Sequence, residues 1–322
     1  MINEVRNAVL SVLNKNNYGY ISPSDFNLFA LNAQMEIYEE YYSDYNKAIN
    51  AENGRVPSGQ PTGGSLSGIE YANIEQPIAE VMESFLRTDY LSKVSANIFS
   101  EPSALTTGYA AYMILELKCK PINLKTGTNT SVVSNQLVDS TALFTTLGIV
   151  AGDVVVNVTT GLIANVVLVS SNTVITLDSN IFLASGNVYS ILSSATIVDV
   201  EKVSNSKVTL LNNSNLTPPT IEYPIYALQG EQISVYPSTI STKGQIQATY
   251  FRYPKPPKWT FITLTNGEPV FDQSQSDYQD FELPATDEYK LVMITLQYCG
   301  VSIREADVVQ FAMGQETKEK QP

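Results

Sequence analysis

Asp277 and Asp280 are an acid pair that invites a catalytic reading, since two carboxylates suffice for glycoside hydrolysis as acid and base or nucleophile. Other hydrolytic chemistries are harder to place, because the chain contains no histidine. Ser-His-Asp and Cys-His hydrolases, zincins and histidine-based metal or proton relays are excluded together. Asp277 and Asp280 stand in a polar turn without the signature of a pocket, so no enzyme is expected. Asp139, Asp153 and Asp178 could in principle share a calcium ion, but solvated turn acids are the expected reading, with no metal and no cofactor. Cys119 and Cys299 cannot make a disulfide framework or a four-ligand zinc site; two buried free thiols are expected. The stretch AENGRVPSGQPTGGSLSG within residues 50–68 carries no GxGxxG and no lysine, which leaves a phosphate-cradling role without support. It reads as a flexible arm or a loop ordered in an assembly. The sequons at Asn129 and Asn157 carry little meaning without a secretion signal. Pro254 to Pro257 spell P-x-x-P, but a rigid exit from an edge strand is the simpler reading.

Helices at both ends and strands between them must hold these residues. Residues 2–13 read as an amphipathic helix, with Ile2, Val5, Val9 and Val12 at helical spacing, ended by Asn16, Asn17 and Gly19. Ser22-Pro23-Ser24-Asp25 opens a second helix, predicted to run to about Ser43, with an N-cap serine, a proline at N1 and an acid at N3. A third carries Ile74, Ile78, Val81, Met82, Phe85 and Leu86 in register, with Pro77 in its first turn. Strands are predicted at residues 112–117, 197–203, 221–228, 232–236 and 246–253, punctuated by Gly230, Pro237, Gly244 and Pro254, as an antiparallel sheet of meander type. Pro284, Asp287 and Glu288 open a helix with Leu291, Ile294 and Tyr298 on one face until Gly300. Ser302-Ile303-Arg304-Glu305 caps a last one, with Ala306, Val309 and Met313, ended by Gly314 and a polar tail.

The second helix bears two apolar stripes. Phe26, Phe29, Ala30, Ala33, Ile37 and Tyr41 make one; Leu28, Leu31, Met35, Tyr38, Tyr42 and Tyr45 make the other, with Asn32, Glu36, Glu39 and Ser43 as a polar strip. A surface helix needs one such stripe, so the second must meet another layer or another chain. Its tyrosines favour a subunit interface at Leu28, Leu31, Met35, Tyr38 and Tyr42 over burial within the domain.

Composition frames this. The chain has 322 residues, 19 Lys+Arg against 32 Asp+Glu, a formal charge of −13, 43% hydrophobic and 16% charged residues. That is a globular, acidic protein that repels phosphate, with no run apolar enough to span a membrane and no signal-peptide pattern. From Thr126 to Glu201 there is no Lys or Arg, and Val, Ile, Thr, Ser and Asn dominate between turns at Gly148, Gly152, Gly161 and Gly186. The expected fold is α+β: helical N- and C-terminal segments packed with an antiparallel sheet, plus an inserted small all-β domain. The divisions are 1–108 (helical), 109–135 (sheet), 136–194 (the insert), 195–283 (sheet) and 284–322 (C-terminal helices and tail).

The opening MINEVRNAVLSVLNKNNYGYISPSDFNLFALNAQMEIYEEYY resembles that of virion structural proteins of crAss-like and related short-tailed bacteriophages. VEKVSNSKVTLLN, PIYALQGEQISVYPSTI, ATYFRYPKPPKW and DFELPATDEYKLVMITLQYCGVSIREADVV resemble the same family, so about three quarters of the chain is covered and the insert departs from the pattern. The resemblance implies a ring, or head-to-tail connector, protein stacked beneath the portal. Its partners would be further copies in a dodecameric ring, the portal protein, other ring or tail proteins, and duplex DNA passing without specific binding. The location would be the virion neck and tail, with no membrane. It also implies portal docking by a C-terminal helix or tail, here through Val308, Val309, Phe311 and Met313. The competing expectation is a surface-binding or decoration protein that holds a host glycan on the β insert.

Overall fold

The computed structural model describes residues 1–15, 21–55, 76–265 and 267–303. They form two compact units, one drawn from Met1–Phe85 and Pro254–Pro322, the other from Leu86–Tyr253. The first unit begins with α1 (Ile2–Lys15), which buries Ile2, Val5, Val9 and Leu13. Leu13 rather than Val12 completes the stripe, since it follows Val9 by four residues on the same face. Next comes α2 (Pro23–Arg55), well past the expected end near Ser43. Its start has the expected N-cap serine: Ser22 Oγ accepts the Asp25 N–H at 3.2 Å and donates to the Asp25 carboxylate at 2.7 Å. α3 (Gln76–Ser84) follows. Leu86 does not continue it, because the segment from Leu86 to Tyr90 pairs residue for residue with a distant strand. Asn16, Asn17, Gly19, Ile74 and residues 56–68 of the expected loop lie outside the described residues.

In the second unit β1 (Leu86–Tyr90), β2 (Lys93–Ser95), β3 (Ile98–Ser100) and β4 (Ala111–Cys119) start one sheet. The chain then builds another from β5 (Asn123–Thr128), β6 (Ser131–Val133), β7 (Gln136–Val138), β8 (Val154–Asn157), β9 (Ile163–Ser171), β10 (Val174–Leu177) and β11 (Val188–Leu192). It returns through β12 (Val198–Lys202), α4 (Asn205–Asn212), β13 (Ile225–Gln229), β14 (Gln232–Tyr236) and β15 (Ile246–Arg252). The first sheet has eight strands in the order β1-β15-β4-β12-β13-β14-β3-β2; the second has seven, β5-β11-β8-β9-β10-β7-β6.

This corrects the expected meander. β15 inserts between β1 and β4, and β12 and β13 run parallel across the α4 crossover. Parallel neighbours need such a crossover, because a tight turn only reverses the chain. The seven-stranded sheet also begins at Asn123, not at 136: β5 pairs with β11 along Thr126↔Ser190, and β6 with β7 along Val132↔Leu137. Its core gathers Leu137, Phe144, Val155, Ile175, Phe182 and Tyr189; that of the eight-stranded sheet gathers Phe99, Leu117, Ile233, Ile246 and Tyr250.

The chain re-enters the first unit with the hairpin β16 (Phe261–Thr263) and β17 (Pro269–Phe271), a 3-10 turn at Ala285–Asp287, and α5 (Glu288–Ile303). α5 passes straight through Gly300, where a stop was expected; that residue is buried in the helix. Ser302 therefore lies within α5 instead of capping a new helix. Arg304, Glu305 and everything beyond, including Val308, Val309, Phe311, Met313 and Gly314, lie outside the described residues. α5 packs on α1 and α2, and α2 on α3, over buried Phe26, Ala33, Ile37, Met82, Leu291 and Ile294. The molecule is thus α+β, with helices towards both termini and large antiparallel sheets between.

Candidate functional site

The long helix α2 carries the surface that sequence reasoning singled out, and its neighbours divide that surface in two. Phe26, Ala30, Ala33, Gln34, Ile37 and Tyr38 are buried. Gln34 is held at both ends of its amide: Nε2 donates to the Lys255 carbonyl at 2.8 Å, and Oε1 accepts the Glu282 N–H at 3.1 Å. Along the border to α5, Tyr298 donates to Glu36 at 3.1 Å, Phe29 and Tyr298 stack with centroids 6.4 Å apart, and Lys290 meets Glu40 at 2.7 Å. Tyr41 donates to the Asp287 carboxylate at 2.9 Å, and burial followed by that carboxylate raises its phenol well above the ordinary value.

Tyr38 corrects one member of the expected interface. Its ring meets Phe85 edge-on at 5.0 Å and is fully buried in its own chain. Of the five expected interface residues it lies nearest the arc of Gln34 and Ile37, where Phe85, just after α3, meets it. Leu28 is 54% exposed, and Leu31, Met35 and Tyr42 are half-buried. These four leave an apolar strip along α2 that its own unit covers only in part.

The acids resolve into structural roles. Asp280 accepts the N–H groups of Ile2 and Phe281, both at 2.8 Å, and so caps α1 from a remote part of the chain. Asp277 pairs with Lys258, whose hydrogen bond holds its carboxyl below the usual range. Asp139 and Asp153 are fully buried, which corrects the expectation of solvated turn acids. Asp139 takes the hydroxyls of Thr141 at 2.6 Å and Tyr189 at 2.6 Å; Asp153 takes the Val150 N–H and both the N–H and hydroxyl of Ser194. Asp178 accepts the backbone and side-chain N–H groups of Asn165. Among the described residues no three Asp, Glu or Cys side chains gather where they could hold a metal. Cys119 and Cys299 are buried free thiols, each pushed up to about 12 by burial.

The P-x-x-P stretch is part of the packing, with Pro254 and Pro257 buried and the Lys255 N–H bonded to Glu282 at 2.7 Å. Beside it lies a junction that the sequence did not reveal. Trp259 is buried with the Arg6 guanidinium 3.8 Å from its ring centroid, its indole N–H on Asn3 Oδ1 at 3.1 Å, and its backbone N–H on Asn27 Oδ1 at 2.8 Å. A lone tryptophan after a proline run was the only sign of it. No helix among the described residues is long and apolar enough to cross a membrane. No protein-family model matches the chain, and no curated protein matches it significantly.

Proposed function

We propose that the chain is a structural ring subunit of a tailed-phage virion, a head-to-tail connector that assembles around the DNA channel below the portal and joins it to the tail. The observation that carries this reading is the divided α2: one side fills the core of its own unit, while on the other Leu28 stands exposed beside half-buried Leu31 and Met35. Such a strip on a rigid helix suits lateral contact between identical subunits, whose interfaces favour aromatic residues and methionine over lysine and glutamate. The acids that invited a catalytic reading serve here as a helix cap and an ion pair, which fits a part that is built in and does not turn over substrate. A formal charge of −13 favours a conduit through which duplex DNA slides without adhering. Portal docking by residues 303–322 belongs to the same proposal.

Imaging of the purified full chain tests it. Closed rings are expected, and their loss on Leu28→Asp combined with Leu31→Asp, with the far-UV spectrum and melt retained. A protein that stays monomeric at every concentration tried, or rings indifferent to those two changes, would overturn the reading.

A further inference from the structure

We propose that the second unit binds a small dianion of the phosphate or sulfate class in a cleft between the seven-stranded sheet and the loops of its eight-stranded neighbour. The cleft encloses about 590 Å³, and Lys93, Lys243, Thr126, Thr159, Thr160 and Ser190 contribute its polar lining. No Asp or Glu is among the described residues that line it, although acids outnumber bases 32 to 19 in the chain. Its two lysines make no ion pair with any described residue.

The two halves of the site come from different sheets. The seven-stranded sheet supplies hydroxyls: Ser190 on β11 stands opposite Thr126 on β5 and Val156 on β8, which places Ser190 and Thr126 on one face, away from Tyr189 and Ile191 in the core. The eight-stranded sheet supplies charge, Lys93 from β2 and Lys243 from the loop before β15. Close packing fixes that loop. A Cβ on Gly244 would stand 2.8 Å from Val156 Cγ2, and the Lys243 ammonium lies 2.8 Å from where a Cβ on Gly161 would be, at φ +74°. Glycine at both positions lets the lysine lie against the turn between β8 and β9.

Ser190 points independently to a ligand. It is 1% exposed, and its hydroxyl has no hydrogen-bond partner among the described residues. A buried hydroxyl left unpaired is costly, and an acceptor arriving at the cleft removes that cost. Two ammonium groups with surrounding hydroxyls match an oxyanion that carries two charges and several acceptor atoms. No aromatic ring lines the cleft to take the apolar face of a neutral sugar. Two lysines in so acidic a chain are also too few for a nucleic-acid backbone.

Titration calorimetry on the full chain tests this in phosphate-free buffer, with inorganic phosphate, sulfate and glucose 6-phosphate as probes and sodium chloride at equal ionic strength as the control. Saturable binding of one ion per chain is expected. Lys93→Gln with Lys243→Gln should weaken it by about tenfold or more, and Lys93→Arg with Lys243→Arg should retain it. Ser190→Ala should weaken it by about threefold. If the glutamine pair does not fold, Lys93→Gln alone, at an exposed position, reads the same loss. Tighter binding of glucose 6-phosphate than of phosphate would identify an esterified group as the occupant, and equal binding the free ion. No saturable heat from any probe, or undiminished binding by the charge-removed variants, would overturn the proposal.

Discussion

Asp139 is a carboxylate without access to water whose stability contribution can be read from its bonds. Burial pushes its carboxyl up, but the hydrogen bonds from Thr141 and Tyr189 outweigh this and hold it below the ordinary carboxylate value. A folded-state value below the unfolded one means that the stabilisation is complete above the unfolded value near pH 4 and is lost as pH falls through the folded value. Asp139→Asn is therefore expected to flatten the acid limb of the stability curve and to cost about 2 kcal/mol at neutral pH, as measured by urea denaturation across a pH series. An unchanged acid limb would show that Asp139 carries no such linkage. Asp280 supports a second expectation. As the cap of α1 its loss in Asp280→Ala should lower stability by about 1 kcal/mol in a thermal melt. A variant of unchanged melting temperature that had lost a glycan-cleaving activity would instead restore the acid-pair reading. The acids are legible in the chain as a type, but their environments are not. Asp139 and Asp178 look alike in the chain, yet one is buried under Tyr189 and the other bonds Asn165 at the surface, because partners fifty and thirteen residues away decide it.

Among the elements, α2 shows where periodicity suffices and where it fails. Ser22 to Asp25 announced its start, and its two stripes were plain in the spacing. The division of labour between them was not, since Tyr38 joins the core only because α3 ends with Phe85 beside it. The same limit explains the short strands β1 to β3, whose residues carry little apolar alternation and become strands by pairing with β15, β14 and each other. α4 was not expected, since Ser204 before it makes no side-chain cap bond, and no local pattern announced that β12 and β13 would run parallel around it. Two substitutions on α2 separate its sides. Tyr38→Glu would bury an unpaired carboxylate and is expected to cost several kcal/mol, enough to unfold the first unit in a chemical melt. Leu28→Asp, at an exposed position, should stay within about 0.5 kcal/mol of the parent while reducing self-association in sedimentation. Equal destabilisation by both would mean that the open strip is internal.

At the scale of the molecule, the stretch without Lys or Arg makes the second sheet legible as a separate texture, but its edge lies earlier than expected, because β5 is poor in apolar residues and fixed by long-range pairing with β11, and β6 is a three-residue arm of a hairpin with β7. The register suggests a cleaner excision than 136–194. Cys119 at the end of β4 stands directly opposite Val198 at the start of β12, so the polypeptide leaves and re-enters the eight-stranded sheet at paired positions. Replacing residues 121–196 with a short Asn-Gly turn would join β4 to β12 as an ordinary hairpin. What the remainder loses is limited: the hydrogen-bonded strands of each sheet stay together, and the apolar contact involves Val154, Val156 and Leu192 with Tyr90 and Ile163. That variant is expected to fold and to melt in one cooperative step, and to lose anion binding because Ser190 and Thr126 leave with the sheet. Excising 136–194 instead removes β7 and β11, the partners of β6 and β5, and leaves two unpaired strands that should aggregate. If the wider excision also fails to fold, the contact around Val156 and Gly244 is integral to the eight-stranded core, and the two sheets constitute a single folding unit.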